Sequence, residues 1–173
     1  MRIRTASASD LESIRKVHID AFGDEGATVS ELALALIQDD SAQPLLALVA
    51  EEDSEVVGSV IFSSVLIKGA EEVSAYILAP LAVVRRLQRM GIGRELIEKG
   101  LRVLRECGAD LVFVLGDPGY YARFGFCSDH RVRAPYDLKY PEAWMAMALQ
   151  GLSLQAVSGR LVCARSLNSP EYW

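Results

Sequence analysis

The chain has 173 residues, 51% hydrophobic and 24% charged, a balance that fits one globular domain over residues 1–173 and excludes disordered and fibrous classes. A formal net charge of −5 argues against a general nucleic-acid binder, which needs a basic face for the phosphate backbone. No uninterrupted apolar run approaches the roughly 20 residues of a membrane span, so no membrane partner is expected.

The residues around Ile3 alternate as a short first strand. Ser9-Asp10-Leu11-Glu12 reads as a capping box, in which the serine and Glu12 satisfy each other's helix-start amides, so a helix is expected from Asp10. Leu11, Ile14, His18, Ala21 and Phe22 form its apolar stripe, and Gly23 and Gly26 end it. Thr28-Val29-Ser30-Glu31 repeats the capping pattern and opens a second helix to about Gln38. Leu45–Ala50 and Val56–Ile67 are strand-like runs on either side of an acidic turn and predict a hairpin. A third strand follows over Val73–Val84. Pro80 interrupts it, and because proline cannot donate to a ladder, a bulge is expected there.

That strand runs through Arg85–Met90 into Gly91-Ile92-Gly93 and then a helix. Leu96, Ile97, Leu101 and Leu104 share one face of the helix, with charged residues opposite, including the i,i+4 pairs Glu95–Lys99 and Glu98–Arg102. The first amides of a helix lack internal partners and attract anions. Two glycines let a phosphate approach the backbone, and Arg89 and Arg94 add positive charge, so a pyrophosphate is the natural occupant. A P-loop would need Lys-Ser/Thr after Gly93, and a dinucleotide fingerprint a small residue in place of Leu96. Gln88-Arg89-Met90-Gly91-Ile92-Gly93 instead resembles the Gln/Arg-x-x-Gly-x-Gly/Ala signature of the GCN5-related N-acetyltransferase (GNAT) superfamily, which grips the pyrophosphate of acetyl-coenzyme A. Leu81-Ala82-Val83 is similar to that family's splayed central strand.

Cys107-Gly108 stops the helix, and Ala109–Leu115 is a nearly continuous apolar run of the kind found in a strand covered on both faces. Strand, helix and strand imply a right-handed parallel crossover. Gly116-Asp117-Pro118 opens a short helix over Gly119–Arg123, and Phe124-Gly125-Phe126 begins another strand. GNAT members often carry a tyrosine four residues before a Gly-Phe pair, where Tyr121 stands, and Leu111–Phe126 resembles the YhbS-type bacterial branch. Arg131–Leu138 reads as a loop that shapes the acceptor pocket. Ala143–Leu149 reads as a mixed apolar stretch with Trp144, Met145 and Met147 in the core, and Gly159–Ser166 as a last strand. Cys107, Cys127 and Cys163 form neither a disulfide framework nor a metal pair, and a reducing cytoplasm is the simplest home. His18 and His130 read as structural.

The resemblance implies a mixed α/β (α+β) fold: a mostly antiparallel central sheet, a splayed fourth and fifth strand, and helices on both faces. It also implies acetyl-coenzyme A as cosubstrate, with no metal. The pantetheine arm would bond the main chain of Leu81, Ala82 and Val83. Gln88 would brace the loop at the coenzyme, the amides of Arg89, Met90, Gly91, Ile92, Gly93 and Arg94 would hold the pyrophosphate, and Asp117 and Tyr121 would also belong to the coenzyme site. The Val83 amide would hold the thioester carbonyl, and Tyr121 would be the general acid, because a phenol of pKa near 10 is protonated at neutral pH. Asp117 is a helix cap, the favoured reading, or part of a proton path. The base stays open. Members with a strand glutamate place it where Ile77 stands, which leaves either Glu71, Glu72 or Glu142 acting through water, or an acceptor that is a less basic amine, such as a peptide N-terminus of pKa near 8. Arg85 also departs from the proline of many relatives. The implied reaction is direct attack of a primary amine, from a small molecule or peptide, on the thioester, and the β-rich C-terminal part leaves a homodimer open. The alternative is a coenzyme-binding regulatory module without turnover.

Overall fold

A computed structural model describes residues 1–173. In chain order the elements are β1 (Arg2–Thr5), α1 (Leu11–Phe22), α2 (Gly26–Gln38), β2 (Leu45–Glu52), β3 (Glu55–Lys68), β4 (Ala75–Val83), α3 (Ile92–Glu106), β5 (Leu111–Leu115), α4 (Pro118–Tyr121), β6 (Arg131–Arg133), β7 (Trp144–Ala148) and β8 (Ser158–Val162). The sheet order is β1-β2-β3-β4-β5-β7, with β8 on the C-terminal end of β3 and β6 beside β8. Only β4–β5 and β6–β8 are parallel. This is the mixed, mostly antiparallel sheet that the resemblance implied.

β3 is buried along most of its length because helices cover both faces of the sheet. Ile61, Val65 and Ile67 join Ile14, Val17, Leu32 and Leu36 of α1 and α2 in one core. Val60 and Phe62 join Ile92, Leu96, Ile97, Leu101 and Leu104 of α3 in the other. Each such side chain contributes about 1.5–3 kcal/mol on burial, which is why the i, i+4 stripe of α3 is fixed against the strands.

Several local expectations are corrected by longer-range contacts. The first capping box lies two residues earlier than read: the Ser7 amide donates to Asp10 Oδ2 at 2.7 Å and starts a 3-10 turn, Ala8–Asp10, that runs into α1. Asp10 is drawn into this role because Arg4 of β1 also donates to both its oxygens. α2 starts at Gly26 after a 3-10 turn, so Ser30 lies inside the helix, giving its hydroxyl to Ala27 O at 2.8 Å. On α3, Glu98 pairs with Arg94 at 2.8 Å rather than with Arg102, and no Glu95–Lys99 pair forms. Arg131–Arg133 is a strand, not a loop, since β8 supplies a partner and Val132 is buried. Phe124 ends a 3-10 turn, and only Cys127 bridges to Ala146. β8 stops at Val162, ahead of a 3-10 turn at Arg165–Leu167.

The centre of the sheet carries the expected irregularity. Val60 opposes Leu81 while Phe62 opposes Leu78, so β4 holds one extra residue at Ala79-Pro80. Pairing of β4 with β5 covers only Ala75–Ile77 against Leu111–Phe113. Beyond it β4 follows β3 to Val83 and β5 follows β7 to Leu115, so the two strands part. No helix is long and apolar enough to cross a membrane.

Candidate active site

The gap between β4 and β5 opens toward the segment that joins β4 to α3. Val84 N donates to Val57 O at 2.9 Å. Backbone groups alternate along an antiparallel pair, so those of Ala82 face β3, while the amides and carbonyls of Leu81 and Val83 turn toward the gap. Gln88 Nε2 donates to the Val83 carbonyl at 3.0 Å, tying the strand end to the loop.

The loop begins with a 3-10 turn, Arg85–Leu87, and enters left-handed backbone at Arg89 (φ 64°) and Gly91 (φ 93°). None of the main-chain amides from Arg89 to Arg94 donates to a protein acceptor; Glu95 is the first that does, to Gly91 O at 3.0 Å. Aligned free amides at a helix start form an anion seat. A Cβ on Gly91 would meet nothing within 4 Å, so the backbone angle rather than crowding calls for glycine. Gly93 is the reverse: its Cβ would lie 3.0 Å from Tyr120 Oη and 3.8 Å from both Leu81 Cδ2 and Val83 Cγ2.

Around this seat is a cleft of about 690 Å³ whose walls include Leu81, Val83, Gln88, Arg89, Gly91, Gly93, Arg94 and Asp117. Four other candidates from the sequence do not line it. Ala82 and Ile92 bury their side chains in the cores, and Met90 is 68% exposed, so Met90 and Ile92 present only main-chain amides. Tyr121 lies behind Tyr120, its ring against Gly116 and 5.9 Å from Phe126. Burial raises the pKa of the Tyr121 phenol well above its ordinary range. Asp117 caps α4, its Oδ1 accepting from the Gly119 amide at 2.9 Å.

Leu87, Tyr120 and Arg123 complete the cleft wall; Tyr120, next to Tyr121, has the pocket-lining or structural place that its sequence neighbourhood suggested, whereas Leu87 and Arg123 were not singled out by sequence reasoning. The signal was present in the i,i+3 spacing of Tyr120 and Arg123, which places them on one helical face. The Arg123 guanidinium sits 5.3 Å from the centre of the Tyr120 ring, and its Nε donates to Gly119 O at 3.1 Å.

No candidate base lines the cleft. Ile77 is 2% exposed, between Ser63 and Phe113. Glu71 and Glu72 precede β4, roughly 26 Å of strand away from Val83, and Glu71 accepts from the Gly69 amide at 3.1 Å. Glu142 lies in the turn before β7. His18 is buried with Nδ1 on Ile14 O, and His130 sets Nε2 against Trp144 O; burial lowers the pKa of both.

The acetyltransferase (GNAT) family profile matches residues 11–126. The uncharacterized N-acetyltransferase YjhQ of Escherichia coli (strain K12) is 36% identical over 162 residues, covering 90% of this chain and 88% of that protein. The crystal structure of YhbS from Escherichia coli, a GNAT family N-acetyltransferase in complex with CoA, superposes with a TM-score of 0.88 at 31% identity, covering 98% of this chain and 92% of that one. A GNAT family acetyltransferase from Brucella melitensis in complex with acetyl-CoA gives 0.77 at 33% identity, covering 96% and 97%. With the match spanning the cleft, the phosphate seat and α4, the chain belongs to the acetyltransferase (GNAT) family.

Proposed function

We propose that residues 1–173 act as one domain that transfers the acetyl group of acetyl-coenzyme A directly to a primary amine of a small molecule or peptide. The observation that carries this reading is the run of unpartnered amides from Arg89 to Arg94 beside the parted strands β4 and β5. The donors suit a diphosphate. The gap suits a narrow pantetheine arm, because Leu81 and Val83 offer it main-chain groups as a neighbouring strand would. The CoA and acetyl-CoA complexes of the two similar proteins support the same ligand.

In this reading the Val83 amide donates to the thioester carbonyl oxygen as negative charge grows there, and no side chain is consumed. Gln88 holds the adjoining carbonyl and so keeps that amide aimed. Tyr121, behind the Tyr120 ring, keeps its proton at neutral pH and is the proposed donor to the departing thiolate, which reaches it past Tyr120. An alkyl amine of pKa near 10.4 is only about one part in a thousand neutral at pH 7.4, a handicap of roughly 4 kcal/mol. The sole carboxylate on the cleft wall, Asp117, is engaged as a cap, which favours acceptors of lower pKa such as a peptide N-terminus near 8.

The test is thiol release from acetyl-coenzyme A with a panel of alkyl amines and N-terminal peptides. Release with N-terminal amines is expected. Coenzyme binding without release across the panel would point instead to a regulatory binding module, the second reading, which the apolar Ile77 favours.

A further inference from the structure

The wall opposite the phosphate loop carries a cation that the loop does not account for. Arg123 is exposed, belongs to no ion pair, and is held from two sides: its Nε bonds Gly119 O, and its guanidinium rests over the Tyr120 ring. Only Nε is used, so both terminal nitrogens remain to form the paired donors that suit a phosphate. Tyr120 Oη already occupies the space next to Gly93, which sets Arg123 outward from the helix start.

Arg123 is also the one residue shared with a second groove of about 380 Å³, which runs along the flank of α3 beside Phe124 and Met147. Arg102 and Arg105 line that groove, and its only acid, Glu98, is taken by Arg94. Arg102 has no ion-pair partner. Positive charge therefore continues from the amides of α3, past Arg123, along the flank of the helix to Arg102 and Arg105.

A coenzyme A ester carries two separate anionic groups, the diphosphate and the phosphate on the ribose 3′ oxygen. The free amides with Arg89 and Arg94 match the first. We propose that Arg123, supported by Arg102, receives the ribose 3′-phosphate, so that the protein selects the phosphorylated coenzyme over its dephospho form. This rests on the acetyl-coenzyme A reading above and adds to it a residue that sets coenzyme specificity.

Calorimetric titration of the whole chain with acetyl-coenzyme A and with acetyl-dephospho-coenzyme A tests it. The unsubstituted protein should prefer the first by on the order of tenfold or more, the usual scale for a charge-assisted contact. Arg123→Ala should abolish that preference, losing affinity for acetyl-coenzyme A while its affinity for the dephospho ligand stays within about twofold. Retained dephospho binding shows at the same time that the cleft is intact. Arg102→Ala should give a smaller loss confined to acetyl-coenzyme A. Equal binding of the two ligands by the unsubstituted protein overturns the proposal. So does an equal loss for both ligands in Arg123→Ala, which would put Arg123 on the diphosphate. Failure of the unsubstituted protein to bind either ligand would instead remove the acetyl-coenzyme A reading itself.

Discussion

Gln88 reaches back along the chain to donate its Nε2 hydrogen to the carbonyl oxygen of Val83 at 3.0 Å, joining the strand end to the phosphate loop. Replacing it with alanine leaves that carbonyl to water and loosens the loop. A hydrogen bond of this kind is worth about 0.5–1.5 kcal/mol, so Gln88→Ala should weaken acetyl-coenzyme A binding by roughly 2- to 13-fold without lowering the melting temperature appreciably. Titration calorimetry paired with thermal unfolding checks this, and unchanged affinity would disconnect the two elements.

The two glycines should fail in different ways. Gly91→Val forces a β-branched residue to φ 93°, a cost of about 1–3 kcal/mol taken from loop or protein stability, although no neighbouring atom obstructs the side chain. Gly93→Ala places a methyl group 3.0 Å from Tyr120 Oη and should act by displacing that ring. Adding Tyr120→Phe removes the clashing oxygen, so the double variant should recover part of the coenzyme affinity lost in Gly93→Ala. Simple additivity of the two effects would refute the proposed contact.

Tyr121→Phe should lower the rate of acetyl transfer by about 100-fold or more while changing coenzyme affinity little, which single-turnover kinetics can separate. Burial raises the Tyr121 pKa, so the folded state keeps a proton that the unfolded chain releases near pH 10. The sign follows: the stabilisation is fully present below about pH 10 and is lost as pH rises beyond it, more so in the parent than in the phenylalanine variant. Between pH 6 and 9 the phenol does not titrate, so any rate change there belongs to another group.

Acid lability should come from Asp10 and Asp39. The Arg4 guanidinium holds the Asp10 carboxyl well below the usual carboxylate range, and the hydroxyls of Ser166 and Ser41 do the same for Asp39. Both pKa values lie below the unfolded value near 3.9, so their stabilisation is present above about pH 4 and is lost as pH falls through lower values. Asp10→Asn should cost about 2 kcal/mol at neutral pH and flatten the acid limb of the stability curve. Urea unfolding at pH 7 and pH 3 measures both, and an unaltered acid limb would exclude Asp10 as its source.

Much of the site was legible because its chemistry is local. Gly91 and Gly93 stand between an apolar strand and an amphipathic helix, and that order alone sets free amides at a helix start. Pro80 marked the bulge for the equally local reason that its nitrogen has no hydrogen to give. The apolar stripe Leu96, Ile97, Leu101 and Leu104 required only the period of the helix.

The remainder depended on partners far along the chain. Ser7 rather than Ser9 begins the first helical turn because Arg4 of β1 also grips Asp10, a choice two neighbouring serines cannot record in their own spacing. Val132 becomes part of a strand only because β8, which begins at Ser158, lies beside it. Of two adjacent tyrosines, Tyr121 packs behind on Gly116 and Phe126 while Tyr120 meets Gly93 and the cleft. Local periodicity thus determined the long helices, the central strands and the phosphate loop, since each depends on residues within a turn or two. Tertiary packing alone decided which side chains face the cleft, because a side chain's direction is settled by the volume its distant neighbours leave unfilled.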